Sequence, residues 1–181
     1  MNLNSDPKKI IMVVITIIAV ILSAPILIAG VFVLIEAKRK HKVKSRLQRA
    51  LDHIVRVNQL VITEIEFFSD KVIAIDTENK KLVFAHFRKG VIQRLCIDLR
   101  LVSACIVSKT FDRYSRYITN VLVQIQLRNQ YEPLRLNFYD NTVDDFDTKT
   151  ILLEKARFWK DQVNHNRSTE NLGQKYEHVL N

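Results

Sequence analysis

The chain's 181 residues include 28 Lys and Arg against 19 Asp and Glu, a formal charge of +9, with three glycines and two cysteines. So few glycines leave little room for a backbone loop that must approach a phosphate, and no GxSxG, HExxH or paired CxxC pattern occurs, so the composition argues against an enzyme and against any cofactor or metal site. The positive charge is local: residues 1–50 hold nine basic side chains against Asp6 and Glu36, which leaves residues 51–181 at only +2 and removes the argument for a nucleic-acid partner.

Residues 1–9 read as a short extracytoplasmic N-terminus. From Ile10 to Ile35 an apolar run follows, interrupted only by Thr16, Ser23, Pro25 and Gly30 and carrying no charge. This predicts a transmembrane helix over residues 10–35, at ~1.5 Å per residue ~39 Å long, which exceeds a ~30 Å hydrocarbon core and calls for tilt or a bend at Pro25. A cleaved signal peptide competes, because Lys8 and Lys9 precede the run and Leu22, Ser23 and Ala24 resemble a cleavage site. The run is longer than the ~7 to 15 residues of a signal core, however, and Pro25 would directly follow the cut. Lys8 and Lys9 flank one side, while Lys38, Arg39, Lys40, Lys42, Lys44, Arg46 and Arg49 crowd the other. The expectation is therefore a single-pass protein of a bacterial inner membrane, N-terminus out and C-terminal domain in the cytoplasm. Those seven basic residues are also the candidate contacts for anionic lipid headgroups, each worth ~1 kcal/mol beside a charged membrane surface, although a stop-transfer flank explains them as well.

Residues 36–58 keep a helical rhythm, with Leu47, Ala50, Leu51, Ile54, Val57 and Val61 at three- and four-residue steps, and predict a basic amphipathic juxtamembrane helix. Its stripe needs a partner: the protein's own domain, the membrane surface, or a second copy. Fewer than three full heptads make a weak coiled coil, yet this helix is where a homo-oligomer would form.

The period then changes, and residues 59–165 read as a β domain with a C-terminal helix. Strands are expected at Leu60–Phe68, Lys71–Asp76, Lys81–Arg88, Val91–Ile97, Leu101–Ser108, Tyr117–Arg128 and Pro133–Tyr139, with turns at Thr77 to Lys80 and at Lys89-Gly90. Val121, Val123, Ile125 and Leu127 alternate most cleanly and are answered by Leu134, Leu136 and Phe138, which predicts an antiparallel pair with one buried face. A helix from Asp144 or Asp147 to Asn164 follows. Its acidic start suits the helix dipole and supplies caps, and Leu152, Ala156, Trp159 and Val163 form one apolar stripe. The fold expected is α+β: a transmembrane helix, a juxtamembrane helix, then a bent antiparallel sheet or partial barrel of about seven strands capped by a helix. Cys96 and Cys105 read as small core residues, and the five histidines are too scattered for a zinc site. Asp144, Asp145 and Asp147 lack the Gly and Glu of a calcium loop.

The strand, polar hairpin and return strand from Ile75, Asp76, Thr77, Glu78, Asn79 and Lys80 to Lys81 and Leu82, the stretch Cys96, Ile97, Asp98, Leu99, and the last helix with Ala156 and Trp159 resemble a bacterial pleckstrin-homology-like family of unassigned function. That resemblance implies a pleckstrin-homology-like fold over about Glu64 to Asn164 and a role in binding proteins or lipid headgroups. The phosphoinositide signature of a basic first hairpin is missing, since the turn carries Glu78 before Lys80 and Lys81. A periplasmic assembly-factor domain of secretion systems shares the element order but needs the reverse topology. Phe111, Arg113, Tyr114, Arg116 and Tyr117 form an aromatic and basic connection suited to a protein partner. Residues 166–181 read as a flexible tail. The function expected is a membrane-anchored module that recruits or scaffolds a protein, with an anionic-lipid sensor or an envelope assembly component as alternatives.

Overall fold

A computed structural model describes the backbone of residues 7–115 and 117–167, and the side chains of residues 31, 33–115 and 117–167. The chain divides into two compact units, Met1–Ser45 and Arg46–Asn181. Helix α1, Pro7–Asn58, begins in the first and ends in the second.

Among the described residues no helix is long and apolar enough to cross a membrane. The expected transmembrane helix over residues 10–35 is corrected on this finding, and with it the integral single-span partner and the inner-membrane localisation. Residues 10–30 and Phe32 lie outside the described side chains, the segment 1–9 lies outside them too, and so does the tail beyond residue 167.

The expected single bent sheet or partial barrel is also corrected. Seven antiparallel strands form two separate sheets: β1 (Glu64–Phe68), β2 (Lys71–Asp76), β3 (Lys81–Arg88) and β4 (Val91–Asp98) in one, β5 (Val102–Phe111), β6 (Ile118–Leu127) and β7 (Leu134–Asp140) in the other. Among the described residues no barrel closes, because β4 and β5 do not pair. Between them a 3-10 turn, Leu99–Leu101, is capped by the Asp98 carboxylate, which accepts from the Arg100 backbone N–H and redirects the chain into the second sheet. At Lys89-Gly90 both residues have positive φ, the geometry that a two-residue hairpin requires and that Gly90 adopts without strain.

Alternation sorts the first sheet into two faces, and both are covered. Ile73, Ile75, Leu82 and Phe84 point into a core shared with Val121, Val123, Ile125, Leu136 and Phe138 of the second sheet and with Leu152, Ala156, Trp159 and Val163 of helix α2 (Lys149–Asn166). Val72, Ala74, Val83 and Ala85 point the other way and are buried, though they lie outside that core. Phe87 shares their parity, and the Arg46 guanidinium stacks 5.6 Å from its ring centre. The buried stripe Leu47, Ala50, Leu51 and Ile54 therefore lies on this outer face. Docking on its own domain is thus the fate of the amphipathic stripe, although Val57 and Val61 stay exposed. The helix ends with Gln59 in the left-handed region while Leu60 N–H donates to the Val55 carbonyl at 3.0 Å, a Schellman cap. A bulge between Val121 and Leu122 lets the consecutive Phe138 and Tyr139 both enter the core.

Candidate functional site

The connection between β5 and β6 is short, polar at its base and aromatic at its tip. Asp112 organises it: one carboxylate oxygen accepts from the backbone N–H groups of Tyr114 and Ser115, both at 2.9 Å, and from the Ser115 hydroxyl at 2.8 Å. The Asp112 N–H donates to the Tyr117 carbonyl at 2.8 Å and closes the turn. Those hydrogen bonds from Ser115 and Tyr114 hold the Asp112 carboxyl below the usual carboxylate range.

On this frame Tyr114 is 95% exposed, beside the exposed Phe111, Arg113 and Tyr117. A register shift between Thr110 and Phe111 interrupts the ladder there. Tyr117 meets Phe146 edge-on, ring centres 6.1 Å apart, and the Lys149 ammonium sits 4.1 Å above the centre of the Phe146 ring. Phe146, itself exposed, comes from the 3-10 turn Phe146–Thr148 and Lys149 from the first residue of α2, some thirty residues along the chain. The result is one corner with exposed aromatics and flanking cations. Arg116 falls outside the described residues.

The structure separates the other anticipated site, the basic cluster. Lys38, Arg39, Lys40, Lys42 and Lys44 are exposed on α1 within the first unit. In the second unit Arg49 is exposed, whereas Arg46 is half-buried against Phe87 and packs as much as it charges.

Several residue readings change. Cys105 is a core residue whose thiol is pushed up to about 12 by burial, but Cys96 is exposed on β4, and both are free thiols. Asp144 does not cap a helix: α2 starts at Lys149, and the Asp144 carboxylate is drawn inward to Lys71. The Lys71 ammonium, on a residue only 1% exposed, lies 2.5 Å from Asp70 and 3.5 Å from Asp144. The second Asp70 oxygen lies 3.1 Å from His86 Nε2, while Asp144 also accepts from Ser69 Oγ and the Asp140 N–H. Among the described residues no group of His, Cys, Asp or Glu has a metal-holding arrangement.

Phe146 and Lys149 were invisible to the sequence as site residues because only the tertiary fold brings them to the β5–β6 turn. Asp112 and Ser115 were not singled out from the sequence, although their three-residue spacing is the local signal that could have marked the turn as a capped frame. No family model, curated protein or solved structure matches the chain.

Proposed function

We propose that the chain recruits or scaffolds a protein partner through the aromatic and basic corner at the β5–β6 turn. The observation that carries this reading is Tyr114, a large amphipathic side chain left almost wholly in solvent on a turn that four hydrogen bonds among Asp112, Tyr114, Ser115 and Tyr117 hold in one shape. Ordered exposed aromatics bind at low entropic cost, and Tyr, Phe and Arg are enriched in interfaces. With Arg113 and Lys149 alongside, the partner that fits is a protein presenting an apolar socket rimmed by carboxylates. The resemblance to the pleckstrin-homology-like family belongs to this proposal, since such modules often bind proteins.

A photo-crosslinking residue placed at position 114 in the full chain tests it, with position 131 as control because Tyr131 is fully exposed yet belongs to no aromatic cluster. The expected result is an adduct from 114 and not from 131. The purified partner should then bind the unmodified chain saturably, and Tyr114→Ala and Arg113→Ala should each weaken that binding about tenfold while urea unfolding stays unchanged. Equal adducts from both positions, or binding indifferent to both substitutions, overturn the proposal. A second reading rests on the five exposed cations between Lys38 and Lys44: attraction of this stretch to an anionic lipid surface. Binding to acidic liposomes that is insensitive to salt and to neutralising these residues would refute it.

A further inference from the structure

Between Asp140, where β7 ends, and Lys149, where α2 begins, residues 142–147 cross the surface of the second unit. Val143 and Phe146 are exposed there, and the one buried side chain of the six is the carboxylate of Asp144. The apolar core stops at Tyr139 before this segment and resumes at Leu152 after it. Burial of apolar surface therefore does little to hold the segment down.

Its hydrogen bonds divide in the same way. Thr142 donates through its N–H and hydroxyl to the Asp140 carboxylate, the Val143 and Asp144 N–H groups donate to the Asp140 carbonyl, and the Thr148 N–H donates to the Asp145 carbonyl, all within the connection itself. Among the described residues, the bonds that tie residues 142–147 to another element pass through the Asp144 carboxylate, which accepts from Ser69 Oγ at 3.2 Å and faces the Lys71 ammonium at 3.5 Å. Lys71 lies nearer to Asp70, at 2.5 Å, so the buried cation keeps a carboxylate when Asp144 leaves, and Asp144 itself moves into water. Opening orphans neither charge, which removes the main penalty of breaking a buried ion pair; only Ser69 Oγ, on an exposed residue, and the Asp140 N–H lose an acceptor. What remains is the contact of Phe146 with Tyr117, two exposed rings with centres 6.1 Å apart.

We propose that residues 142–147 are a strap latched by Asp144 on Lys71, which opens as a unit and takes Phe146 away from Tyr117 while both sheets stay folded. The latch is a property of the free chain and so goes beyond the partner-binding reading. Where the aromatic corner binds a partner as proposed above, a partner that needs Phe146 in place closes the latch by the same free energy that the latch lends to its binding.

Amide hydrogen exchange of the full chain in low urea, read by NMR, tests the strap without any partner. The expected result is that Val143, Asp144 and Thr148 exchange through one opening that responds weakly to urea, about tenfold or more ahead of Val121 and Val123 in the central strand β6, whose exchange requires the sheet to unfold. Asp144→Ala should speed exchange at Val143 and Thr148 by about a further tenfold relative to β6, and should remove the cross-relaxation between the Tyr117 and Phe146 rings. Strap and β6 amides that exchange together with the same urea response would overturn the proposal, and so would an Asp144→Ala chain that keeps either its strap protection or the ring contact. The comparison within the unaltered chain decides the matter even if the alanine variant does not fold.

Discussion

Lys71→Met puts a number on the least expected feature of the core. Lys71 opens β2 and shares a parity with Ile73 and Ile75, so its side chain is directed toward the apolar interior and is rescued there only by Asp70 and Asp144. Methionine fills a similar volume and removes the charge. Asp70 keeps its contact to His86 and some solvent, but the Asp144 side chain is only 2% exposed and loses its cation. Breaking one side of a buried ion pair costs ~3 to 5 kcal/mol. Ser69 Oγ and the Asp140 N–H still donate to Asp144, so the lower end of that range applies, ~3 kcal/mol. The chain's single tryptophan, Trp159, is fully buried and reports unfolding by fluorescence. For a urea slope of ~1 to 3 kcal/mol per molar the midpoint should drop by about 1 to 3 M. Lys71→Met with Asp144→Asn removes both charges while keeping an acceptor for Ser69 and Asp140, and should recover at least ~2 kcal/mol of the loss. A single variant whose midpoint moves by less than about 0.3 M, or a double variant no better than the single, would refute this account of the buried lysine.

Four further outcomes are expected. Trp159→Ala should cost ~3 to 5 kcal/mol by circular-dichroism unfolding, and Trp159→Phe only ~1 to 2, because the phenyl ring keeps most of the packing but loses the indole N–H bond to Glu66, which retains Lys155. Gln59→Gly should stabilise by ~0.5 to 1 kcal/mol in urea, since Gln59 occupies the left-handed position of the Schellman cap where glycine carries no Cβ penalty. Burial raises the Asp70 and Asp76 carboxyls, but hydrogen bonds from His86 to Asp70 and from Asn79, Val61 and Glu78 to Asp76 outweigh it and leave both below their usual range. Folded values below the unfolded ones mean stability that is complete above about pH 4 and lost as the pH falls through the folded values, so the urea midpoint should decline only below about pH 4. Asp112→Ala should speed hydrogen exchange at the Tyr114 and Ser115 amides while leaving exchange in β6 unchanged; protection retained at both amides would mean that the carboxylate does not hold the turn.

The sequence was most informative where one local rule acts alone. Lys71–Asp76 and Lys81–Arg88 are strands at the bounds their β-branched content and flanking turns indicate. It was less informative where tertiary contacts compete. Leu60 to Thr63 looks like the start of a strand, but Leu60 is taken by the helix cap and the Val61 N–H by the Asp76 carboxylate, so β1 begins only at Glu64. Asp144 looks like a helix cap until Lys71, more than seventy residues earlier, claims it. The division into two sheets depends on Asp98 turning back to Arg100, and nothing in the apolar spacing from Cys96 to Leu101 signals that break. At the candidate site Phe111, Tyr114 and Tyr117 were legible as an aromatic run, whereas Phe146 and Lys149 join them only through the tertiary fold.

The way the first sheet is covered decides where a partner can act. Every residue of β2 is buried, because one face meets the shared core and the other lies under the Arg46–Asn58 portion of α1. A ligand that needed the open face of this sheet would have to displace Leu47, Ala50, Leu51 and Ile54, four buried side chains whose removal from the sheet costs several kcal/mol at ~0.8 kcal/mol per buried CH₂. The small outer-face residues Ala74 and Ala85 are thus committed to packing, so the proposed partner would have to use groups that folding does not. Tyr114 at the aromatic corner fits that description, since it is exposed and does not belong to the core. Substitution of Tyr114 is therefore expected to change partner binding without changing stability, the comparison that the binding and urea measurements make.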